Sequence, residues 1–406
     1  MNYYNFTETE KRCIVRDFTE QEKAILKRIF AKKKYVIITD LCCELSATER
    51  RELGIWPEFL SASATNDSVD IDILGNDTVD ERVMDNIYAR MLIKKRDTTH
   101  PLYTQRLVPG HVMTHSHNTF IARQIFERAV ELTDESTTIV YAAVSPGITS
   151  GTVNAGWSAL QELKEDYPNR KFAFIDTTCI SGGLAMAVKY LANYDGDDIT
   201  AYGHEIGTHI RHLFCISDFK WAKYSGRYDE DASSPYSYIK GEETLERDIV
   251  WANLNARKRA EKNMTTWDQI KQSAKRIGIA VAEKTLRTID YRAYMEYPSE
   301  KFDDNARGGQ IRTLGIKPTK AICHSFVEEY LKNRLDPEAC TCDLDRTVYL
   351  GYASKTLLEH VDYVKSLLVK NGIDERLIEY RRINAFHGVH AGPNCFCIIF
   401  RQRRPR

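Results

Sequence analysis

The sequence predicts an α/β protein built around a parallel sheet. Short apolar runs rich in β-branched residues alternate with longer segments of helical periodicity, in the repeated order strand, loop, helix. The connections between these runs are long enough for the crossovers that parallel strands need. At 406 residues the chain is also long enough for two or three domains.

The first half of the chain carries the clearest pattern. Thr19 followed by Glu22 is a capping box, and it predicts a helix over 19–33. The run YVIITD at 35–40 predicts a buried strand. The alternation continues through helices at 119–132, 153–165 and 184–194, and strands at 138–144 and 171–176.

The second half is less regular. A charged stretch with weak apolar periodicity, at about 240–300, predicts helix. The other elements are predicted as helices at 198–212 and 354–371, strands at 213–219, 347–352 and 376–384, a strand-like run at 315–324, and a glycine turn followed by a strand within 387–401.

Composition excludes several classes of protein. Lys and Arg together number 57, as do Asp and Glu, so the chain lacks the basic excess of a nucleic-acid binder. No apolar run approaches the ~18 residues that span a bilayer, so we expect no membrane insertion. Charged residues stand where a secretory signal would be apolar, which favours the cytoplasm.

Metal chemistry is not expected either. The ten cysteines are too few for a disulfide scaffold, and the two CxC pairs among them, Cys340/Cys342 and Cys395/Cys397, also fit the packing of a strand. The string HEIGTHIRH at 204–212 resembles a zinc-protease helix, but its first two histidines are five residues apart instead of four. We therefore predict no metal ligands.

Two loops rich in hydroxyl side chains and glycine follow predicted strands. They are SPGITSGT at 145–152 and TTCISGG at 177–183. Such loops lie at the carboxyl ends of parallel strands, where ligands bind. Glycine lets a ligand approach the backbone, and N–H groups entering a helix attract anions. The same composition also makes turns and caps, so the pattern alone leaves both interpretations open.

Six short motifs, in one order along the chain, resemble those of the DegV family of lipid-binding proteins. They are YVIITDLCCELS, AVSPGITSGTVNA, FIDTTCISGGLAMAV, FCISDFKWAKYSGRY, GIKP and HAGPN. The resemblance implies a two-domain DegV-like fold, of the EDD type, with a Rossmann-like parallel sheet domain and a second α/β domain. It also implies one fatty acid in the cleft between the domains, no other cofactor, and no catalysis by the chain itself. Some members are the binding subunit of a bacterial fatty acid kinase.

The motifs also suggest the domain limits. An N-terminal helical extension occupies 1–33, followed by α/β domains at 34–197 and 198–406. A helical insertion at about 229–310 departs from the family pattern, and it could act as a lid, an oligomer interface or a docking element for a partner. Ser225 and Asn394 also stand where the family has glycine.

The resemblance implies a set of side chains around the fatty acid carboxylate. The hydroxyl loop supplies Ser145, Thr149 and Ser150, although one extra residue leaves open which hydroxyl faces the ligand. His390 matches the family histidine and Arg227 the family arginine, whose guanidinium suits a carboxylate. Within THSHN, Thr114 takes the place of a family threonine, and His115 replaces a serine.

Two enzymatic alternatives remain open. Ser145 as nucleophile with His390 as base would make a hydrolase-like pair, although no GxSxG elbow is present. The chain could also be a component of a polyol or ketone kinase, with its nucleotide on another subunit, because it lacks a phosphate-binding GxxxxGK[ST] loop. A long apolar pocket would favour the lipid, and a compact polar one the polyol.

Overall fold

The structure is a computed structural model. It describes residues 18–60, 62–66, 69–71, 84–85, 88, 112–217, 291–297 and 311–405. The helices are α1 (Glu20–Phe30), α2 (Ala47–Leu53), α3 (Thr119–Leu132), α4 (Ser150–Asp166), α5 (Ser181–Ala192), α6 (Ile199–His209), α7 (Thr319–Asn333), α8 (Leu358–Lys370) and α9 (Ala385–Ala391). The strands are β1 (Tyr35–Thr39), β2 (Ala62–Asn66), β3 (Val69–Ile71), β4 (Val112–Ser116), β5 (Thr138–Ala143), β6 (Lys171–Asp176), β7 (Ile210–Ile216), β8 (Tyr291–Tyr297), β9 (Arg312–Pro318), β10 (Val348–Tyr352), β11 (Ile378–Arg382) and β12 (Phe396–Arg401).

The predicted capping box at the start of α1 is confirmed. The Thr19 hydroxyl accepts the Glu22 N–H at 3.3 Å, and the Glu22 carboxylate accepts the Thr19 N–H at 2.8 Å. Ser46 and Glu49 form the same arrangement at the start of α2. Each box satisfies main-chain N–H groups that a helix start leaves without an intrahelical partner.

The predicted parallel sheet is confirmed as the order β1-β5-β6, with both pairs parallel. Every residue of β1 is buried, as expected for a strand covered on both faces. The loops after β5 and β6 therefore emerge side by side at one edge of the sheet. A small antiparallel sheet, β3-β2-β4, contains the first three residues of the THSHN segment, 114–116.

A second sheet of six strands has the order β11-β10-β12-β7-β8-β9. The β10–β11 pair is parallel and the other pairs are antiparallel. Apolar side chains of α7 and α8 pack on this sheet and form a hydrophobic cluster of their own. Helix α5 contacts β1 of the first sheet as well as β7 and β12 of the second. The residues that begin α5 therefore lie where the two sheets meet.

Three local predictions are corrected by the structure. Residues 291–297, within the predicted helical insertion, form strand β8, and most of the remaining insertion lies outside the described residues. The strand-like run at 315–324 ends at Pro318, where α7 begins. The glycine turn predicted from residue 387 is the second half of α9. The domain limits at 33 and 197 stay predictions.

Candidate functional site: an apolar cavity beside α9

Asp40, which follows β1, fixes the start of the loop after β5 through hydrogen bonds. The Asp40 carboxylate accepts the Tyr141 hydroxyl at 2.7 Å and the Val144 N–H at 2.5 Å. Burial raises the pKa of Asp40 to about 7, although both hydrogen bonds lower it. This carboxyl fixes the backbone just before Ser145.

The three hydroxyl residues of this loop lie in different surroundings. Ser145 is fully buried; its N–H donates to the Cys179 carbonyl at 3.0 Å, and its hydroxyl has no hydrogen-bond partner among the described residues. Thr149 is buried and its hydroxyl donates to that of Thr152 at 3.1 Å. Ser150 is the exposed first residue of α4. The Ser145–Cys179 bond joins the two hydroxyl- and glycine-rich loops.

The other proposed head-group residues are less fully described. Thr114 and His115 lie on β4, opposite Ala64 and Ser63 of β2 in the antiparallel register. Arg227 lies outside the described residues.

His390 lies near the end of α9, and its side chain is buried. The Asn384 side chain caps this helix by accepting the Phe386 N–H at 2.9 Å. Gly388 lets the helix approach Tyr88, because a Cβ atom at Gly388 would lie 1.8 Å from the Tyr88 hydroxyl oxygen. That hydroxyl donates to the Ile383 carbonyl at 2.7 Å. Both contacts fix the position of His390.

His390 faces a cavity of about 550 Å³, a volume that includes its open mouth. Most of the wall that the described residues form is hydrocarbon, and its imidazole and hydroxyl side chains are three histidines and one serine. The lining residues are Ile148, Ile180, Ser181, His212, Phe214, Ile311, Ile383, His387, His390, Ala391 and Cys395.

Comparisons with known proteins bear on the fold of the chain. No protein-family model matches the chain. A DegV domain-containing protein of Clostridium perfringens is 26% identical over 208 residues, which are 50% of this chain and 63% of that relative, less than two thirds of its length. A DegV family protein from Thermus thermophilus, described by its fatty acid binding, superposes with a TM-score of 0.58 at 12% identity, over 91% of this chain and 100% of that one.

Two further solved structures are similar. A DegV family protein from Eubacterium eligens, loaded with heptadecanoic acid, has a TM-score of 0.56 at 10% identity, over 91% of this chain and 100% of that one. A stearic acid-binding protein from Eubacterium ventriosum has a TM-score of 0.55 at 15% identity, over 90% of this chain and 98% of that one. The chain has the DegV fold. The resemblance predicted from the six motifs is confirmed.

Within this DegV fold, sequence reasoning missed three polar residues of the cavity wall. Ser181 stands in the SGG segment, and His387 precedes His390 by three residues, so both imidazoles share one face of α9. His212 alternates with Phe214 on β7, which places both on one face of the strand. The spacing of the histidines in HGVH, 387–390, and of His212 and Phe214 in HLF could have indicated these shared faces.

The DegV fold also places the carboxyl group of Glu44, a half-buried residue, behind Ser181. The Ser181 hydroxyl donates to Glu44 Oε1, which also accepts the Asn384 N–H at 2.9 Å. Burial raises the pKa of Glu44 to about 7; hydrogen bonds from Ser181, Asn384 and Gly182 and the charge of Arg381 oppose that rise. One carboxyl group thus holds the start of α5 and the cap of α9 together.

An ion-pair network lies next to Glu44. Arg381 donates to both carboxylate oxygens of Glu49, at 2.6 and 2.8 Å, and Lys189 lies 2.9 Å from the same carboxylate. Burial raises the pKa of Glu49, but hydrogen bonds and charge from Arg381 outweigh it and leave that pKa far below its ordinary value. The network joins α2 and α5 to β11 of the second sheet.

Other chemistries find less support in the described part of the chain. Its residues hold no cluster of three or more His, Cys, Asp or Glu side chains suited to a metal ion. Burial raises the pKa of Cys395 well above its ordinary value, so this cavity thiol is a poor nucleophile. None of the described helices is both long and apolar enough to cross a membrane.

Proposed function

We propose that this chain binds one fatty acid, or a related lipid, in the cavity beside α9. The observation that carries the proposal is the composition of the wall. Hydrocarbon from Ile148, Ile180, Phe214, Ile311 and Ile383 suits an acyl chain, because burying apolar surface is favourable. Imidazole and hydroxyl groups in the same wall suit the carboxylate.

The ligands of similar proteins support the proposal. The solved structures from Eubacterium eligens and Eubacterium ventriosum are described with heptadecanoic and stearic acid. Both share the DegV fold with this chain, and a fold alone does not fix a ligand. The cavity wall is the local reason to extend the ligand class to this chain.

The head group is proposed to lie near His390, which faces the cavity. An imidazole N–H donates to a carboxylate in either protonation state. The motif resemblance also implies contacts from Thr114, His115, Ser145, Thr149, Ser150 and Arg227. Of these, Ser145, Thr149 and Ser150 do not line the cavity that the described residues form.

We propose further that the chain is a non-catalytic protein of the bacterial cytoplasm that presents the carboxylate to a partner fatty acid kinase. Oligomerisation through the 229–310 insertion stays a prediction. No specific observation favours the enzymatic alternatives. Ser145 does not line the cavity among the described residues, and a mostly hydrocarbon wall does not suit a polyol.

Organic-solvent extraction of the purified protein, followed by mass spectrometry, tests this proposal. We expect one fatty acid per chain, with less in a His390→Ala variant. His324→Ala is the matched control, because His324 is exposed on α7 and bonds to Tyr363. Protein that yields no lipid and takes up no added fatty acid would refute the proposal.

A further inference from the structure

Ser181 is held in a backbone conformation that non-glycine residues rarely adopt. Its φ is +54°, and that of Thr178 in the same loop is +53°. Left-handed residues of this kind cost free energy, and they cluster at binding sites, where the surrounding structure holds them. The Ser181 side chain is buried and lines the cavity.

The partner of Ser181 is a carboxyl group that can gain or lose a proton. Ser181 Oγ and the Asn384 N–H both donate to Glu44 Oε1, so the serine lies close to the first turn of α9, which carries His387. Glu44 Oε2 is buried close to Gly182, where a Cβ atom would lie 3.3 Å from it. Water cannot reach this oxygen to stabilise a negative charge.

We propose that Ser181 binds the carboxylate of the ligand, and that the protonation state of Glu44 sets whether it can. The inference rests on the proposed function. It adds Ser181 as a residue that contacts the ligand and Glu44 as the group that makes this contact depend on pH. A serine hydroxyl has one proton to donate. While Glu44 is ionised, that proton is committed to Glu44, and the cavity meets only oxygen lone pairs.

Protonation reverses the direction of this hydrogen bond. With a proton on Glu44 Oε1, the carboxyl group donates to Ser181 Oγ, and the serine proton is free to point into the cavity. There it can donate to a carboxylate, while the nearby negative charge of Glu44 has been removed. Both changes favour an anionic head group, so proton uptake by Glu44 and ligand binding strengthen each other.

The proton affinity of Glu44 suits this role. Its pKa is raised to about 7, chiefly by burial, so both states are populated near neutral pH. The positive charge of Arg381 on β11 opposes this rise of the pKa. Arg381 is itself paired with the carboxylates of Glu49 and Glu379, which weakens its effect on Glu44. The titratable groups that interact with Glu44 from the packed elements are Cys43, Tyr88, Arg381, Cys395 and Cys397. His387 and His390 face the same cavity as Ser181.

Equilibrium dialysis of radiolabelled hexadecanoic acid, at submicromolar concentration and from pH 6 to 8.5, tests the inference. The delipidated full chain should bind about tenfold more weakly at the upper end, the effect of one hydrogen bond to a charged group. Glu44→Gln should bind with little change across the range. Ser181→Gly, which suits the positive φ, should bind weakly at every pH.

Glu338→Gln is the matched control. It makes the same carboxylate-to-amide change at an exposed position away from Ser181, Glu44 and Arg381, and it should keep the wild-type pH profile. A Glu44→Gln variant that is folded and still loses affinity with rising pH would overturn the inference and assign the dependence to the imidazoles. An unchanged Ser181→Gly affinity would overturn the assigned contact. Absence of hexadecanoic acid binding at every pH would instead refute the proposed function.

Discussion

Arg381 of β11 and Glu49 of α2 form a two-pronged ion pair. The guanidinium nitrogens lie 2.6 and 2.8 Å from the two carboxylate oxygens. The Arg381 side chain is only 9% exposed, so the pair is shielded from water far more than a surface ion pair is. It connects the helix after β1 to the edge strand of the second sheet.

Removal of the Arg381 guanidinium should destabilise the protein. Arg381→Ala leaves the partly buried carboxylate of Glu49 with Lys189 as a weaker charged partner and with the Ser46 cap, and breaking such a pair costs about 3 kcal/mol. The free energy of unfolding in urea measures the loss. Arg376→Ala removes an exposed pair with Asp374 and should leave the midpoint unchanged. An equal shift in both variants would contradict the buried character of the pair.

The same pair makes a prediction for acid conditions. The pKa of Glu49 is lower in the folded state than in the unfolded chain, where it is about 4.3. Its stabilisation is therefore present above that pH and is lost as the pH falls below it. Glu49→Gln should be less stable than wild type at pH 7, and the difference should shrink towards pH 3. Urea titrations at several pH values would show this convergence.

Asp40 should change the stability with pH in the direction opposite to Glu49. Its pKa is raised to about 7 by burial, so the folded state binds a proton that the unfolded state has released above pH 4. Stability should fall as the pH rises from 5 to 7, by up to about 1.4 kcal/mol per pH unit. Asp40→Asn should reduce this slope, and the exposed Asp195→Asn control should not. Identical slopes in all three proteins would show that Asp40 does not hold the proton.

Gly388 should tolerate no side chain. A Cβ atom there would overlap the Tyr88 ring, with the ring carbons 2.4 and 2.5 Å away. Gly388→Ala should cost about 1–3 kcal/mol of unfolding free energy. The cost should be smaller in a Tyr88→Leu background, because the two sites are in contact. Gly183→Ala, whose Cβ would have ordinary contacts from 3.5 Å outwards, is the control.

The size of the cavity should limit what it binds. Ala391 lines it, so Ala391→Phe should fill part of the volume and lower the amount of extracted fatty acid or shorten its chain. Ala201→Phe adds the same bulk at an exposed position of α6 and should leave the extract unchanged. Lipid of unchanged amount and length in both variants would place the acyl chain elsewhere.

Local pattern predicted the first sheet well and the cavity poorly. Hydrophobic periodicity and the Thr19–Glu22 box depend on neighbours a few residues apart, and both are confirmed. The Ser181–Glu44 bond joins residues 137 positions apart, which no local pattern predicts. Helix α9 looked like a turn because of Gly388, yet that glycine is needed for packing against Tyr88.

Strand β8 was missed because of its charges. Arg292 and Glu296 are buried but have partners: Arg292 donates to Thr319 at 3.0 Å, and Arg211 lies 3.0 Å from Glu296. Paired charges can occupy the interior of a sheet, whereas the sequence alone suggested a solvated helix.

Strand β8 has a consequence for the long segment that precedes it. The chain leaves the sheet after Ile216 and re-enters at Tyr291, on the neighbouring antiparallel strand, where Ile216 is opposite Ala293. The segment therefore starts and finishes at nearly the same point, as the loop of a hairpin does. The entropy of closing such a loop grows only with the logarithm of its length. Residues beyond Arg227, which the motif resemblance assigns to the ligand, can be added to this segment or removed from it at little cost to the sheet, so that part can vary in length and sequence while the walls of the cavity stay in place.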